Sequence, residues 1–465
     1  AFERRDDMTI QAGAGWSHTF GHRNVLTGAV FYTRGDTRPA LSGSESGTIE
    51  ADPVRFGFPD PLGAELPYDF RAVQESRRRT KVEGTVAALS HTLGFGDFTL
   101  RYGVEGQTGE TKTDDRSAAT GLFTEAPPRT LSGIFDVITS TGERTRLNSS
   151  FRAARGYADL FWRPSDRFEF QAGGQYAVSD IDSRGVITTR SSFDFYAIDP
   201  FLPILPPVSG PVEGSTSATR FVVTEQESSK FDPRVGAAFS PVEGHWLRAA
   251  YRYDTEFPLG LTLSPVTTVG LIPNPVPTNG SSRTETLALR WDAEWSPHVF
   301  TAVEYQRQDV RGLDLPILNT LASLDLDRGR IDRLSATANV WLGHGIGVFG
   351  TVGAAETDNL TGGAFYGRQI PFIAERFARA GVTFVHPSRL KVTLAQSFFG
   401  DITGDLAGQP LKDFWTTDAS ITWETPDRHL LLGLTALNLF DEDYRFAPNV
   451  PGPGRTIAAS LKARF

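Results

Sequence analysis

Cysteine is absent from all 465 residues and methionine occurs once. Without thiols there is no disulfide framework, no thiolate nucleophile and no cysteine zinc site. No apolar run approaches the 18 or so residues of a membrane-crossing helix, and the mean hydropathy is −0.24, so a helical membrane protein is excluded. Basic clusters are missing too. The 46 Lys+Arg stand against 55 Asp+Glu, net −9, whereas nucleic-acid binding needs concentrated cations to neutralise phosphates. What the chain does have is 33 Phe and 39% hydrophobic residues, too much apolar surface for a disordered polypeptide. Length alone fits two to four soluble domains or one large all-β unit.

Period-two alternation decides for the second. Phe98, Leu100, Tyr102 and Val104 alternate with Thr99, Arg101, Gly103, Glu105 and Gln107. Leu247, Ala249, Tyr251 and Tyr253 alternate with Arg248, Ala250, Arg252 and Asp254, and Leu287, Leu289, Trp291, Ala293 and Trp295 with Ala288, Arg290, Asp292 and Glu294. Trp415 to Trp423 repeats the pattern, and so does Ile457 to Phe465 at the C-terminus. Such segments are strands with one apolar face, of the length that crosses a bilayer when tilted, about 9 to 11 residues.

The connections alternate between short and long. Gly21-His22-Arg23, Gly94-Phe95-Gly96, Arg163 to Asp166, Pro241 to Gly244, Ser296-Pro297, Gly343-His344-Gly345, Pro387-Ser388 and Thr425-Pro426-Asp427 read as tight turns. Between them lie long stretches near 36–77, 113–147, 184–228, 257–280, 314–328, 360–375, 402–411 and 443–453. One tight rim and one shaggy rim are expected of an outer-membrane barrel. Several tight turns place an aromatic shortly before a proline, as in Trp162, Phe239, Trp295, Phe384 and Trp423, at the depth where a periplasmic aromatic girdle would sit.

The expected fold is an all-β transmembrane antiparallel barrel of about 16–18 strands, one unit over residues 1–465 with no separate plug domain. Seventeen strands can be counted. An odd number leaves the first and last running the same way, so either one strand is merged or split, or sequence upstream of Ala1 supplies another; the start at Ala1-Phe2-Glu3 favours the latter.

The stretch Asp413–Phe465 resembles the C-terminal end of TonB-dependent outer-membrane receptors. The residues that carry the resemblance are Asn438, Leu439, Phe440, Asp441 and Tyr444, followed by Gly454, Arg455 and the terminal Phe465. The family implies a 22-stranded barrel around an N-terminal plug, importing siderophores, cobalamin, metals or glycans with TonB-type energy coupling. Here no plug-like segment or coupling box precedes the first strand. These closing residues are expected to finish the barrel and to present it to the insertion machinery.

Catalytic constellations are missing: there is no His-Glu-x-x-His, no phosphate-binding Gly-x-x-x-x-Gly-Lys and no dinucleotide fingerprint, so no enzyme and no cofactor is expected. His22, His245, His298, His344, His386 and His429 stand at turns, where solvated histidines are the rule. Asp325-Leu326-Asp327 has only part of a calcium-loop spacing.

Binding is better supported. Phe193, Phe195, Tyr196, Phe201 and Leu202 lie in an apolar, proline-rich stretch of the third long connection, Phe56 and Phe58 repeat it in the first, and Leu271 to Pro275 in the fourth. They are expected to cap the barrel or dock a surface protein. Arg101, Glu105, Arg248, Arg252, Asp254, Arg290, Asp292 and Glu294, with Lys462 and Arg464, are expected to line a wet lumen of mixed charge. The resulting expectation is a transporter in the outer membrane of a Gram-negative bacterium, in contact with outer-membrane lipid and lipopolysaccharide. A plug-less conduit or exporter coupled to an upstream periplasmic domain, or a surface anchor binding through its loops, are the alternatives.

Overall fold

Alternating residues and tight turns build one continuous antiparallel sheet of 17 strands. The computed structural model describes residues 2–21, 23–51, 66–125, 134–197, 212–316, 323–447 and 450–463. The strands are β1 (Phe2–Thr19), β2 (Asn24–Ala51), β3 (Leu66–Phe95), β4 (Phe98–Glu125), β5 (Ile134–Ser165), β6 (Phe168–Ala197), β7 (Val212–Phe239), β8 (His245–Thr255) and β9 (Thr278–Ser296). They continue as β10 (Val299–Pro316), β11 (Ser323–Gly343), β12 (Ile346–Asn359), β13 (Arg376–Val385), β14 (Leu390–Gly400), β15 (Phe414–Glu424), β16 (Leu430–Leu437) and β17 (Thr456–Ala463). Each pairs with its neighbours in sequence, and two short ribbons, 402–403 with 410–411 and 445–447 with 450–451, lie outside the sheet.

Within the belt near the tight turns the two faces of the sheet differ in chemistry. On the outer face of β4, Tyr102 and Val104 are 41% and 60% exposed, while Glu105 and Gln107 on the inner face are buried. Outward apolar residues run from the tight turns up to a sharp line of charge, from Phe98 to Gly106 below Glu110 on β4, and from Trp162 to Ala154 below Arg152 on β5. Ten residues of tilted strand rise about 25 Å, the height of the apolar band of a membrane barrel. Phe95, Phe98, Trp162, Phe170, Phe168 and Phe239 form an unbroken chain of stacked rings near the tight turns, each 4.7 to 6.4 Å from the next. The wall is therefore of the transmembrane type, apolar outside and polar within.

The long connections are much shorter than the hydrophobic pattern indicates. The segments 36–77, 113–147 and 184–228 are mostly strand: β4 and β5 stay in register from Phe98↔Trp162 to Phe123↔Val137, and β6 and β7 from Phe168↔Phe239 to Phe195↔Val212. The pattern fades because both faces of these hairpins stand above the apolar belt and meet water, while backbone pairing continues unchanged. Polar cross-strand pairs replace the apolar stripe, such as Arg78 with Asp115 at 2.6 Å and Ser149 with Ser183 at 2.8 Å. β5 extends about 45 Å beyond the belt at strand rise and tilt.

The sheet has two free edges. β1 pairs with β2 and β17 with β16, and among the described residues the two do not pair with each other. Residues 6–20 and 456–463 are exposed throughout. β1 and β17 run in the same direction, as an odd count requires.

Candidate functional site

The connection from β8 to β9, residues 256–277, does not cap the long-loop rim. It turns inward and runs along the inner face of the sheet toward the tight-turn end. Its tip is a two-residue hairpin in which Thr268 and Leu271 exchange backbone hydrogen bonds of 3.0 and 2.9 Å around Val269 (φ 44°) and Gly270 (φ 84°). Two successive left-handed residues make the mirror-type turn that suits strand twist; glycine adopts this without strain, while a branched valine does so at a cost.

The tip is buried in the lumen, with Thr268, Val269 and Leu271 at 0%, 1% and 2% exposure against Ala238, Ala250 and Ala288. Gly236 makes that approach possible, since a Cβ there would stand 2.8 Å from the methyls of both Thr268 and Val269. Small wall residues facing the tip are what the inward positions of β7, β8 and β9 supply.

At the tip Gln171 of β6 accepts from the Val269 amide at 2.8 Å, and above it polar side chains of β4, β7, β8 and β10 hold the loop by its backbone. On β4, Glu105 accepts from the Leu263 and Ser264 amides at 2.5 and 2.9 Å, and from the Thr262 hydroxyl at 2.9 Å. Arg155 on β5 pairs with the same carboxylate at 2.5 Å and lies over the Phe257 ring. Arg101 donates to the Leu263 carbonyl, Arg234 on β7 to that of Pro265 at 2.7 Å, and Arg252 and Arg248 on β8 to those of Val266 and Val269 at 2.8 and 3.0 Å. On β10, Gln306 and Gln308 hold Ile272 and Asn274. Donors that carry charge and aim at carbonyls in a partly dry lumen form strong hydrogen bonds, and each satisfies a loop group that burial would leave unpaired.

Further ion pairs brace the wall. Arg234 pairs with Asp159 at 2.6 Å where both are almost fully buried. Asp292 joins Arg248 at 3.0 Å and Arg290 at 2.7 Å, and Arg290 reaches Glu304 at 2.9 Å. Between the two limbs of the loop and the wall remains a cavity of about 350 Å³, bordered by Arg155, Arg234, Arg252, Asp254, Glu256 and Phe257.

Of the residues singled out from the sequence, Arg101, Glu105, Arg248 and Arg252 thus meet at the loop. Asp254 pairs with Arg252, Arg290 and Asp292 brace the wall below, and Glu294 is an exposed residue beside the Pro241–Gly244 turn, its amide bonded to the Gly244 carbonyl at 2.8 Å. Gln107, Arg155, Gln171, Arg234, Gln306 and Gln308 were not singled out, although the same alternation places them inward. No local signal marks the loop itself, because its capture depends on strands far away in sequence.

The aromatic-loop residues have a different fate. Phe193, Phe195 and Tyr196 belong to β6, not to a loop, and are laddered opposite Thr139, Val137 and Phe135 of β5. Phe56, Phe58, Phe201 and Leu202 lie outside the described residues. Leu271 is buried in the lumen instead of docking outward. A second apolar cluster forms at the long-loop end, where Val310, Leu313, Leu315, Leu326 and Ile331 of β10 and β11 pack on Ile370 from the 360–375 connection.

The closing motif folds as a compact knot. Asn438 (φ 47°) donates to the Glu442 and Pro453 carbonyls at 3.0 and 3.2 Å and accepts from the Glu442 amide at 2.9 Å. Asp441 accepts from the Arg455 amide at 2.7 Å, the Leu439 amide binds the Thr417 carbonyl at 2.7 Å, and Tyr444 stacks on Phe414 with ring centroids 4.3 Å apart. Gly454 passes beside the Asp441 carboxylate, where a Cβ would come within 3.0 Å, and Phe440 is 76% exposed. Phe465 lies outside the described residues. Among the described residues no group of three or more His, Asp or Glu is placed to hold a metal ion.

No family model and no curated protein matches the chain. Solved structures do align with it along nearly its whole length. The ferric-catecholate import receptor Fiu of E. coli K12, in its closed form, matches at 11% identity and a TM-score of 0.45, over 99% of this chain and 81% of that one. The ferric yersiniabactin uptake receptor FyuA of Yersinia pestis matches at 13% and 0.44, over 99% and 77%. The siderophore receptor PiuA of Acinetobacter baumannii matches at 11% and 0.42, over 98% and 81%.

Proposed function

We propose that this chain is an outer-membrane barrel wall of a Gram-negative bacterium that moves a substrate through its lumen, with residues 256–277 as the constriction that sets what passes. The observation that carries this reading is the inward loop. A wall whose only task was to anchor surface hairpins gains nothing from arginines, glutamines and a carboxylate converging on a loop inside it, where a dry apolar fill would be at least as stable. A polar lumen narrowed by a polar-held loop is what selective passage requires. The resemblance of the closing residues to TonB-dependent receptors favours energised import as the mode.

The test uses the full chain in planar bilayers. Since the protein has no native cysteine, Ala238→Cys with Val269→Cys introduces one thiol pair within the buried cluster at the tip, leaving Gly236 free for the close approach. A channel that is small when the pair is oxidised and several-fold larger after reduction supports the reading. No conductance in either state, nor after Arg248→Ala with Arg252→Ala to loosen the loop, would overturn it in favour of a sealed anchor.

A further inference from the structure

The inward turn of 256–277 leaves β7 without a neighbour over most of its height. β8 ends at Thr255 and pairs with β7 only from Phe239↔Leu247 to Arg234↔Arg252. On its other side β7 stays laddered to β6 without a bulge as far as Val212. The Phe231 carbonyl still accepts from Arg283 at 2.6 Å; above it, among the described residues, nothing pairs with the second edge of β7. Successive backbone groups of a strand point to opposite sides, so with Phe231 facing this edge, alternate residues from Ser217 to Ser229 present their N–H and C=O groups to it as well.

Sheets normally blunt such an edge with proline, lysine, a bulge or a covering segment. From 215 to 224 β7 has no proline and no carboxylate, and its one charge is Arg220. Phe221 and Val223, on the outward face with Phe231 and Val235, are 77% and 66% exposed, above the belt where no lipid covers them. Lower down, Glu225 and Glu227 stand directly opposite Asp182 and Asp180 of β6. The β6 carboxylates have cations of their own: Arg184 lies 3.0 Å from Asp182, and Arg152 of β5 opposes Asp180. Glu225 and Glu227 are exposed and have no hydrogen bond or ion pair among the described residues. Like charges directly opposite each other destabilise a sheet, and a cation arriving from the open side relieves both rows.

We infer that the 217–229 edge of β7 takes up an extended peptide of a partner protein as an added antiparallel strand, with lysine or arginine beside Glu227 and Glu225 and apolar side chains beside Val223 and Phe221. Backbone pairing supplies the affinity in such an addition, and alternate side chains select the sequence. Antiparallel pairing continues the order of the sheet and is the more stable kind. A second copy of this chain fits worse. Two copies upright in one membrane bring their β7 edges together in parallel, which sets Glu225 and Glu227 of one beside the same carboxylates of the other.

The experiment is disulfide trapping on the full chain in detergent, which the absence of native cysteine makes specific. The probe is the synthetic peptide Cys-Thr-Lys-Thr-Lys-Thr-Val-Thr-Val, whose thiol meets position 229 in the inferred register. Ser229→Cys should capture it roughly five-fold or more faster than Ser217→Cys. Val223→Pro on the Ser229→Cys background removes a donor that faces the open edge and spares the β6 ladder; it should slow capture by roughly the same factor with heat-modifiable gel migration kept, since edge strands tolerate proline there. A peptide with glutamate in place of both lysines should be captured poorly by Ser229→Cys and well after Glu225→Lys with Glu227→Lys. Equal capture at 217 and 229, equal capture of the glutamate peptide by the unreversed chain, or preferential disulfide dimerisation of Ser229→Cys in the presence of the peptide would overturn the inference. The readout needs no open lumen, so it stands or falls separately from transport.

Discussion

At the scale of single residues, the lumen is built from charges that burial makes interdependent. Asp159 and Arg234 have side chains 0% and 3% exposed, and Arg234 also holds the Pro265 carbonyl and the Ser264 hydroxyl. Arg234→Met strands Asp159 without its cation, and breaking one side of a buried pair typically costs about 3 to 5 kcal/mol. The expected result is an earlier loss of the heat-resistant gel band on warming, while Asp159→Asn together with Arg234→Met recovers part of it. Outside the membrane, Asp325 faces Asp314 across β10 and β11, and desolvation first, then the neighbouring carboxylate, raises its pKa. A raised carboxyl pKa means that folding favours the protonated form, so the contribution present at low pH is lost as pH rises through the folded value. Asp325→Asn should therefore slow amide exchange at the β10–β11 tip at pH 8, corrected for intrinsic rates, and change it little at pH 4.

At the scale of elements, the inward loop and the extended hairpins are opposite answers to one question: where a segment that leaves the belt finds partners for its backbone. The hairpins find them in each other, through ladders that outlast any hydrophobic pattern. The 256–277 loop finds them in wall side chains, and the close approach at Gly236 is the weak point of that arrangement. Gly236→Leu would push the tip off β7, since even a Cβ meets two methyls at 2.8 Å. Increased cleavage within 256–277 by an added protease, with gel mobility of the folded barrel retained, is the expected outcome; an unchanged digest would mean the tip is held mainly by Arg248 and Gln171. This loop was not legible in the sequence. Leu271 to Pro275 has the composition of an exposed, proline-rich connection, and only partners distant in sequence, such as Glu105 on the Leu263 amide, Gln171 on the Val269 amide and Gln306 on the Asn274 amide, place the loop inside the wall, with Leu271 buried and Ile272 still 62% exposed.

At the scale of the whole molecule, the belt dominates. Leu289 stands midway on the outer face of β9, between Trp295 near the tight turn and Glu285 above, and is 45% exposed in the absence of lipid. Leu289→Arg places a charge near the bilayer centre, a cost of about 2 to 4 kcal/mol in barrel walls. Denaturant titration of folding into vesicles should show that loss, whereas Glu285→Arg at the belt edge should show little. Alternation alone gave the all-β class, the seventeen strands, the tight rim and which face meets lipid, because a period of two is a local property that survives wherever one face is apolar. It missed the length of β2 to β7, where both faces are wet and the period vanishes.

What the amino-acid order determined by itself was the wall: its strand period, its turn chemistry, the Asn438-to-Arg455 knot and the parity that leaves β1 and β17 codirectional. The fate of everything between the strands was decided only in three dimensions. A segment such as 256–277 carries no record of whether it will face solvent or lumen; that depends on Arg101, Glu105, Arg234 and Gln306 arriving on one concave surface from strands distant in sequence.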